Sequence, residues 1–307
     1  MDAVQLLKGI SGGEPKALAR AISVVENDGD AADMILRSLS LDRNVPVVGF
    51  TGPPGAGKST LINEVVKQLT GAGKRIGVVA IDPSSPFNMG ALLGDRIRMS
   101  EHFENDLVFI RSLASRRSLG GLSAKTMEVV DVMRGYPFDY ILIETVGVGQ
   151  SEVEIAGLAD TTVLVLVPEA GDEIQTLKSG VMEIADIFVV NKADRPGAEE
   201  WVKNLVTMTG ERYHDAWQPP VVKTVAMKGD GVEDLVGAIN DHHAHLSSHD
   251  VRKAALYTEK AWNLIQVSRM NDVDKAQLEQ RILEGLQKGP VNLYAELRKW
   301  GYINDTH

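Results

Sequence analysis

Val47-Val48-Gly49-Phe50-Thr51-Gly52-Pro53-Pro54-Gly55-Ala56-Gly57-Lys58-Ser59-Thr60 decides the fold: an apolar run that reads as a buried strand passes into a glycine-rich loop and then a helix start. The loop fits G-x-x-x-x-G-K-[ST], the phosphate-binding P-loop. Successive backbone N–H groups can wrap a polyphosphate only where side chains are small or absent, as at Gly52, Gly55, Ala56 and Gly57. Lys58 is expected to neutralise the β- and γ-phosphates and the Ser59 hydroxyl to bind Mg²⁺. The helix beginning near Ser59 offers its positive end to the anion. Gly52, Pro53, Pro54, Gly55, Ala56, Gly57, Lys58, Ser59 and Thr60 are therefore the candidate phosphate-binding residues.

Working outward, apolar strands are expected at 46–51, 76–82, 107–111, 139–145, 162–168, 187–191 and 220–225, with helical segments between most of them. That βαβ rhythm predicts an α/β fold with a mostly parallel central sheet covered by helices, a P-loop NTPase domain over 45–247. Residues 1–44 carry apolar positions at helical spacing (Val4, Leu7, Leu18, Ile22, Val25, Met34, Ile35, Leu39) and read as two or three helices forming a packing arm. Pro15 is placed to open the second of them. Residues 248–307 read as a C-terminal helical arm for interaction or dimerisation, with helices at 232–246, 250–269, 273–287 and 290–299 over the whole tail.

Polar residues cluster just past the expected strand ends, where ligands bind in open α/β sheets. Asp82 and Asp95 are candidates for the Mg²⁺ sphere, because Mg²⁺ takes hard oxygen ligands and keeps several waters. Glu144 closes the strand Tyr140-Ile141-Leu142-Ile143 about 85 residues beyond the P-loop lysine, the Walker B position. Gly147 would give an N–H to the γ-phosphate; Gln150 lies three residues past it and is not assigned the water-positioning role. Asn191-Lys192-Ala193-Asp194 has the N-K-x-D arrangement. Asp194 can accept two hydrogen bonds from guanine that adenine cannot supply, Asn191 braces the loop, and the Lys192 stem stacks on the base. The N–H of Ala226 is within expected reach of guanine O6. Arg111, Arg116 and Arg117 lie with the flexible pair Gly120-Gly121 in a stretch that either touches phosphates or a partner or is a solvated loop.

Composition narrows the setting. A net charge of −10 over 307 residues argues against nucleic-acid or anionic-membrane partners. The chain has no cysteine, which excludes thiolate metal sites and fits a cytoplasmic protein. No apolar run is long enough to span a membrane, and Met1-Asp2 lacks a basic leader region. His242, His243, His245 and His249 lie close together, and the His245/His249 spacing would suit two metal ligands on one helix face. The expectation is a solvated histidine cluster, since no acidic or thiolate set completes a site.

The Gly52–Thr60 loop, Asp82-Pro83-Ser84-Ser85, Leu93-Gly94-Asp95-Arg96, Glu144-Thr145-Val146-Gly147-Val148-Gly149-Gln150-Ser151-Glu152 and Asn191–Asp194 together resemble the MeaB/ArgK family. These GTPases are associated with methylmalonyl-CoA mutase and related cobalamin-dependent mutases. The resemblance implies a chaperone GTPase that gates adenosylcobalamin delivery to an acyl-CoA mutase and protects it. It also implies a possible link to a cobalamin adenosyltransferase and a homodimer built with the C-terminal helices. It assigns Lys58 and Ser59 to phosphates and Mg²⁺, Asp82, Asp95 and Glu144 to the metal, and Asn191, Lys192 and Asp194 to guanine. Residues 83–100, 145–155 and 167–178 are expected as three switches, the last ending in the catalytic candidate Lys178. Asn88-Met89-Gly90 and Arg117-Ser118 depart from the family's usual Thr-Gly-Gly and Gly-His. The resulting expectation is slow, partner-stimulated GTP hydrolysis. A metal-insertion GTPase of the hydrogenase or urease maturation kind, a nucleotide-gated binding module and an ATP-using kinase are the alternatives.

Overall fold

The computed structural model describes residues 2–83, 99–115, 124–145, 155–168, 182–212, 217–247, 250–270, 273–288 and 291–302. Seven parallel strands form its sheet: β1 Val47–Thr51, β2 Ile76–Pro83, β3 Val108–Ser115, β4 Tyr140–Thr145, β5 Thr161–Leu166, β6 Ile187–Asn191 and β7 Val221–Thr224. Their order is β3-β2-β4-β1-β5-β6-β7, so β1 is central, with three strands on either side. Every residue of β1, β5 and β6 is buried, as helices on both faces of a parallel sheet require. The sheet of the P-loop NTPase fold predicted from the apolar runs is therefore present, strand for strand.

The helices are α1 Ala3–Ser11, α2 Pro15–Glu26, α3 Ala32–Arg37, α4 Lys58–Gly71, α5 Ala124–Arg134, α6 Ala198–Arg212, α7 Val232–Ser247, α8 Asp250–Met270, α9 Lys275–Lys288 and α10 Leu293–Lys299. Asp2 and Gln5 close a reciprocal capping box on α1, and Pro15 occupies the first turn of α2. Side-chain alternation along β1 divides the interior. Val47, with Val79, Ile81, Ile141 and Ile143, meets α1, α2, α3 and α5 on one face. Val48 and Phe50 meet α4 and α7 on the other.

The first three helices are thus a wall of the sheet's own core. On α1 the buried stripe is Ala3, Leu6 and Ile10, while Val4 is 61% exposed. Of the two apolar positions read here from helical spacing, Leu7 packs partly buried against the core while Val4 is exposed, because the Ala3, Leu6 and Ile10 stripe faces inward. Likewise Ile35 is buried and its neighbour Met34 is exposed.

Two compact units divide the chain, Met1–Ala261 and Trp262–His307. Within the second, Asn292 caps α10 by accepting from the Ala295 N–H, and the Arg281 guanidinium lies over the Trp300 ring. Among the described residues no helix is long and apolar enough to cross a membrane.

Candidate nucleotide site

The carboxyl ends of β1, β4, β6 and β7 meet at one edge of the sheet, and the loops there are tied to one another before any ligand is considered. Gly52 follows β1 with φ 137°, a backbone that favours glycine, and a Cβ there would lie 2.1 Å from the Val165 carbonyl oxygen. Gly57, at φ 89°, precedes α4, and its Cβ would meet Asn191 Nδ2 at 2.4 Å. The glycines of the P-loop therefore serve close packing on β5 and β6 as well as access to phosphate.

Lys58 is buried, and its ammonium donates to the carbonyls of Gly52 at 2.6 Å and Pro53 at 3.1 Å. The side chain is held over its own loop. Ser59 donates its hydroxyl proton to Glu144 Oε1 at 2.5 Å, which brings the P-loop serine and the acid closing β4 together. Thr145, next in the chain and fully buried, donates to the Phe50 carbonyl at 3.3 Å and locks β4 to β1.

A cavity of about 570 Å³ opens between these groups, lined by Pro54, Gly55, Gly57, Lys58, Ser59, Thr60, Asn63, Glu144, Thr145 and Lys192. Its wall combines a lysine with hard oxygen donors, Ser59 and Glu144. Mg²⁺ is held in this way, by one or two carboxylates plus substrate oxygens, so the residues present fit that ion. Asn63 and Thr145 were not singled out as site residues from the sequence. The available signal for Asn63 was its position four residues after Ser59, on the same face of α4.

Asn191 ties three loops together. Its amide donates to the Ala56 carbonyl at 2.8 Å, and its Oδ1 accepts from Thr224 Oγ1 at 3.1 Å and the Ala226 N–H at 3.2 Å. Lys192 has φ 56°, and its ammonium donates to the Gly55 carbonyl at 2.8 Å. The base loop is thus fastened to the phosphate loop. Asp194 is half exposed, with Lys228 Nζ 3.8 Å from its Oδ2. The Ala226 N–H, expected at guanine O6, makes its described bond inside the loop, to Asn191.

Asp82 closes β2 beside Ala114 in the register; its backbone alone is described. Asp95, Gly147, Gln150, Lys178, Arg116, Arg117 and His249 lie outside the described residues, as do most of the three expected switches. Arg111 pairs with Glu26 of α2, with Ser23 Oγ 3.4 Å from the guanidinium. The oxyanion reading of that arginine is corrected accordingly.

The solvated histidine cluster is also corrected. His242 is fully buried: its Nδ1 is 2.8 Å from Thr161 Oγ1, its Nε2 is 3.5 Å from Asp186 Oδ1, and its ring stacks near Trp217. His245 also packs on Trp217, and His243 meets Asn44 at 3.1 Å. The physical reason is that Leu235, Ile239, His242 and Leu246 form one buried stripe of α7. Among the described residues no three His, Asp or Glu side chains gather as a metal site.

A glycine loop, a buried lysine, a serine–glutamate pair and a base loop fastened to the glycine loop, on a parallel sheet with β1 at its centre, define a P-loop GTPase. Comparison with known proteins gives the family. The family model "Methylmalonyl Co-A mutase-associated GTPase MeaB" matches residues 18–280, and the chain belongs to that family. A putative GTPase of Pyrococcus abyssi is 48% identical over 247 residues, covering 79% of this chain and 76% of the relative. The mouse protein "Methylmalonic aciduria type A homolog, mitochondrial" is 37% identical over 85% of this chain and 69% of its own. GTPase ArgK of Escherichia coli is 34% identical over 77% and 74%. Among solved structures, a "LAO/AO transport system kinase" superposes with a TM-score of 0.69 at 24% identity, covering 98% of this chain and 96% of that one. That last likeness concerns the fold. The protein is a GTP hydrolase.

Proposed function

We propose that this GTPase acts as a nucleotide-gated chaperone for a cobalamin-dependent acyl-CoA mutase, controlling adenosylcobalamin delivery to it and protecting it. The observation that carries this reading is membership, over residues 18–280, of a family described as mutase-associated. The similarity to the mouse methylmalonic aciduria type A homolog supports it.

In the proposed mechanism GTP lies with its phosphates along Gly52–Thr60. Lys58 exchanges its two carbonyl partners for phosphate oxygens, since a charge-assisted bond to an anion is the stronger one. Ser59 and Glu144, with Asp82 and Asp95, would hold Mg²⁺, which when bound supplies charge neutralisation at the phosphates. Gly147 gives its N–H to the γ-phosphate, and Lys178 belongs to the catalytic set. Asp194 reads the guanine edge, with Asn191, Lys192 and Ala226 shaping its loop. Positioning and electrostatics carry the catalysis, and no residue of the chain is assigned as general base.

The 248–307 arm is proposed as the homodimer element, supported by the exposed Trp262, Ile265, Leu283, Leu286 and Tyr294. A cytoplasmic setting and a cobalamin adenosyltransferase as second partner complete the reading.

The test is the GTPase rate with and without a cobalamin-dependent acyl-CoA mutase. A partner-induced rise of roughly 10-fold or more is expected, on the scale by which partners activate slow GTPases. Fast turnover by the isolated protein, indifferent to any such mutase, would overturn it.

A further inference from the structure

On the α4 side of the sheet, away from the three bonded loops, one buried titratable group has no part in the mechanism above. His102 ends the short helical turn Ser100–His102 and is 4% exposed. Its ring donates to the backbone carbonyl of Asn63, the α4 residue whose side chain lines the nucleotide cavity. Its Nε2 is buried with no hydrogen-bond partner among the described residues, and Glu101 Oε1 is 3.9 Å away. The same turn is fastened twice more to α4. Met99 is buried in the core that contains Val65, Val66 and Leu69, and Lys67 bridges Glu64 at 2.7 Å and Glu101 at 3.2 Å. The Lys67 bridges are half exposed and contribute little individually. The buried contacts of Met99 and His102 therefore dominate the dock.

We propose that His102 is a positioning residue for GTP turnover, holding the segment Met99–Asn105 against α4 at the turn that carries Asn63 into the cavity wall. α4 also carries Lys58 and Ser59, so a shift of this helix is felt at the Ser59–Glu144 contact of 2.5 Å. A misplacement on the order of 1 Å can cost about 100-fold in rate.

The hold depends on a neutral ring. Burial is the largest influence and keeps the His102 imidazole below its ordinary value of 6.5, with help from Lys67 and against an upward pull from Glu101, Glu64 and the bond to the Asn63 carbonyl. Among the described residues these are the charged groups facing it, from its own turn and from α4. A histidine with a depressed folded pKa contributes its full stabilisation above the unfolded value. That contribution is lost as pH falls below 6.5 and through the folded value. Protonation draws Glu101 toward the ring and away from Lys67, loosening the dock at its exposed side too.

The experiment measures kcat, KM for GTP and Kd for GDP from pH 5 to 8 on the full chain, for wild type, His102→Ala and His102→Gln. The alanine variant is expected to lose roughly 10-fold or more in kcat at pH 7.5 while its GDP Kd changes by less than about 2-fold. The glutamine variant keeps a donor without titrating. It should retain most turnover and lack the acid-side fall of kcat expected of wild type below pH 6.5. Alanine kcat equal to wild type, or an unchanged acid limb in the glutamine variant, would overturn the proposal. If His102→Ala does not fold, the glutamine pH profile alone decides. The inference uses GTP turnover as its readout. A wild type that fails to bind GDP would sink the nucleotide-site reading, whereas normal wild-type binding with unaffected variants sinks only this one.

Discussion

The two ends of the sheet carry similar residue types and use them in opposite ways. At the carboxyl ends of the strands, Lys58, Ser59, Glu144 and Lys192 line a cavity of about 570 Å³. At the amino ends, equally polar residues close on one another. Asp160 accepts from the Val47 N–H at 3.0 Å and from Arg134 at 2.8 Å. Asp186 accepts from the Thr162 N–H at 2.8 Å and lies 3.5 Å from His242, and the Trp217 indole donates to the Asp186 carbonyl at 2.9 Å. A buried polar group is tolerated when its partners are supplied. The amino-end groups meet theirs inside the fold, while the carboxyl-end groups, bonded to one another and to their own loops, also line an open cavity.

The comparison breaks first at Lys58. Replacing it with Ala should reduce GTP turnover by about 100-fold or more, the scale of losing one donor to developing charge, while the thermal midpoint moves little. A variant that turns over normally would make the cavity incidental. Asp194→Asn should weaken GDP binding by roughly 100-fold and favour xanthine nucleotides, because the amide no longer accepts both guanine N–H groups. Paired titrations with GDP and XDP read this directly.

Predictions for the other end run the opposite way, toward stability without nucleotide effects. Asp160→Ala orphans Arg134 and the Val47 N–H and should cost on the order of 3 kcal/mol by urea denaturation, with GDP affinity of the folded fraction unchanged. His242→Phe keeps the ring and loses the Thr161 and Asp186 contacts. It should cost about 1–3 kcal/mol, again leaving GDP binding alone. A nucleotide defect in either variant would show that the two ends are coupled.

The unequal legibility of the sequence follows the same division. The strands were readable because a doubly covered parallel strand must be continuously apolar, as at Val163–Leu166 and Ile187–Val190. Lys58, Glu144 and Asn191 were picked out because phosphate, metal and guanine chemistry would constrain residue type and spacing together, and the structure brings them to one end of the sheet. His242 and Arg111 were misjudged, since a polar residue on a core-facing stripe looks like a surface one until Asp186, Thr161 or Glu26 arrives from far along the chain. Thr145 shares that difficulty, since nothing in its local sequence announces a cavity wall, whereas Asn63 had a signal in its place one turn after Ser59. On α1, periodicity gave the helix but not which of two stripes faces inward, because the packing of α2 and α3 against it decides that.

The most direct test of the account is equilibrium titration of the intact protein with GDP and with ADP in the presence of Mg²⁺. The account predicts that GDP binds at least about 100-fold more tightly than ADP. Equal affinity for the two nucleotides would contradict it.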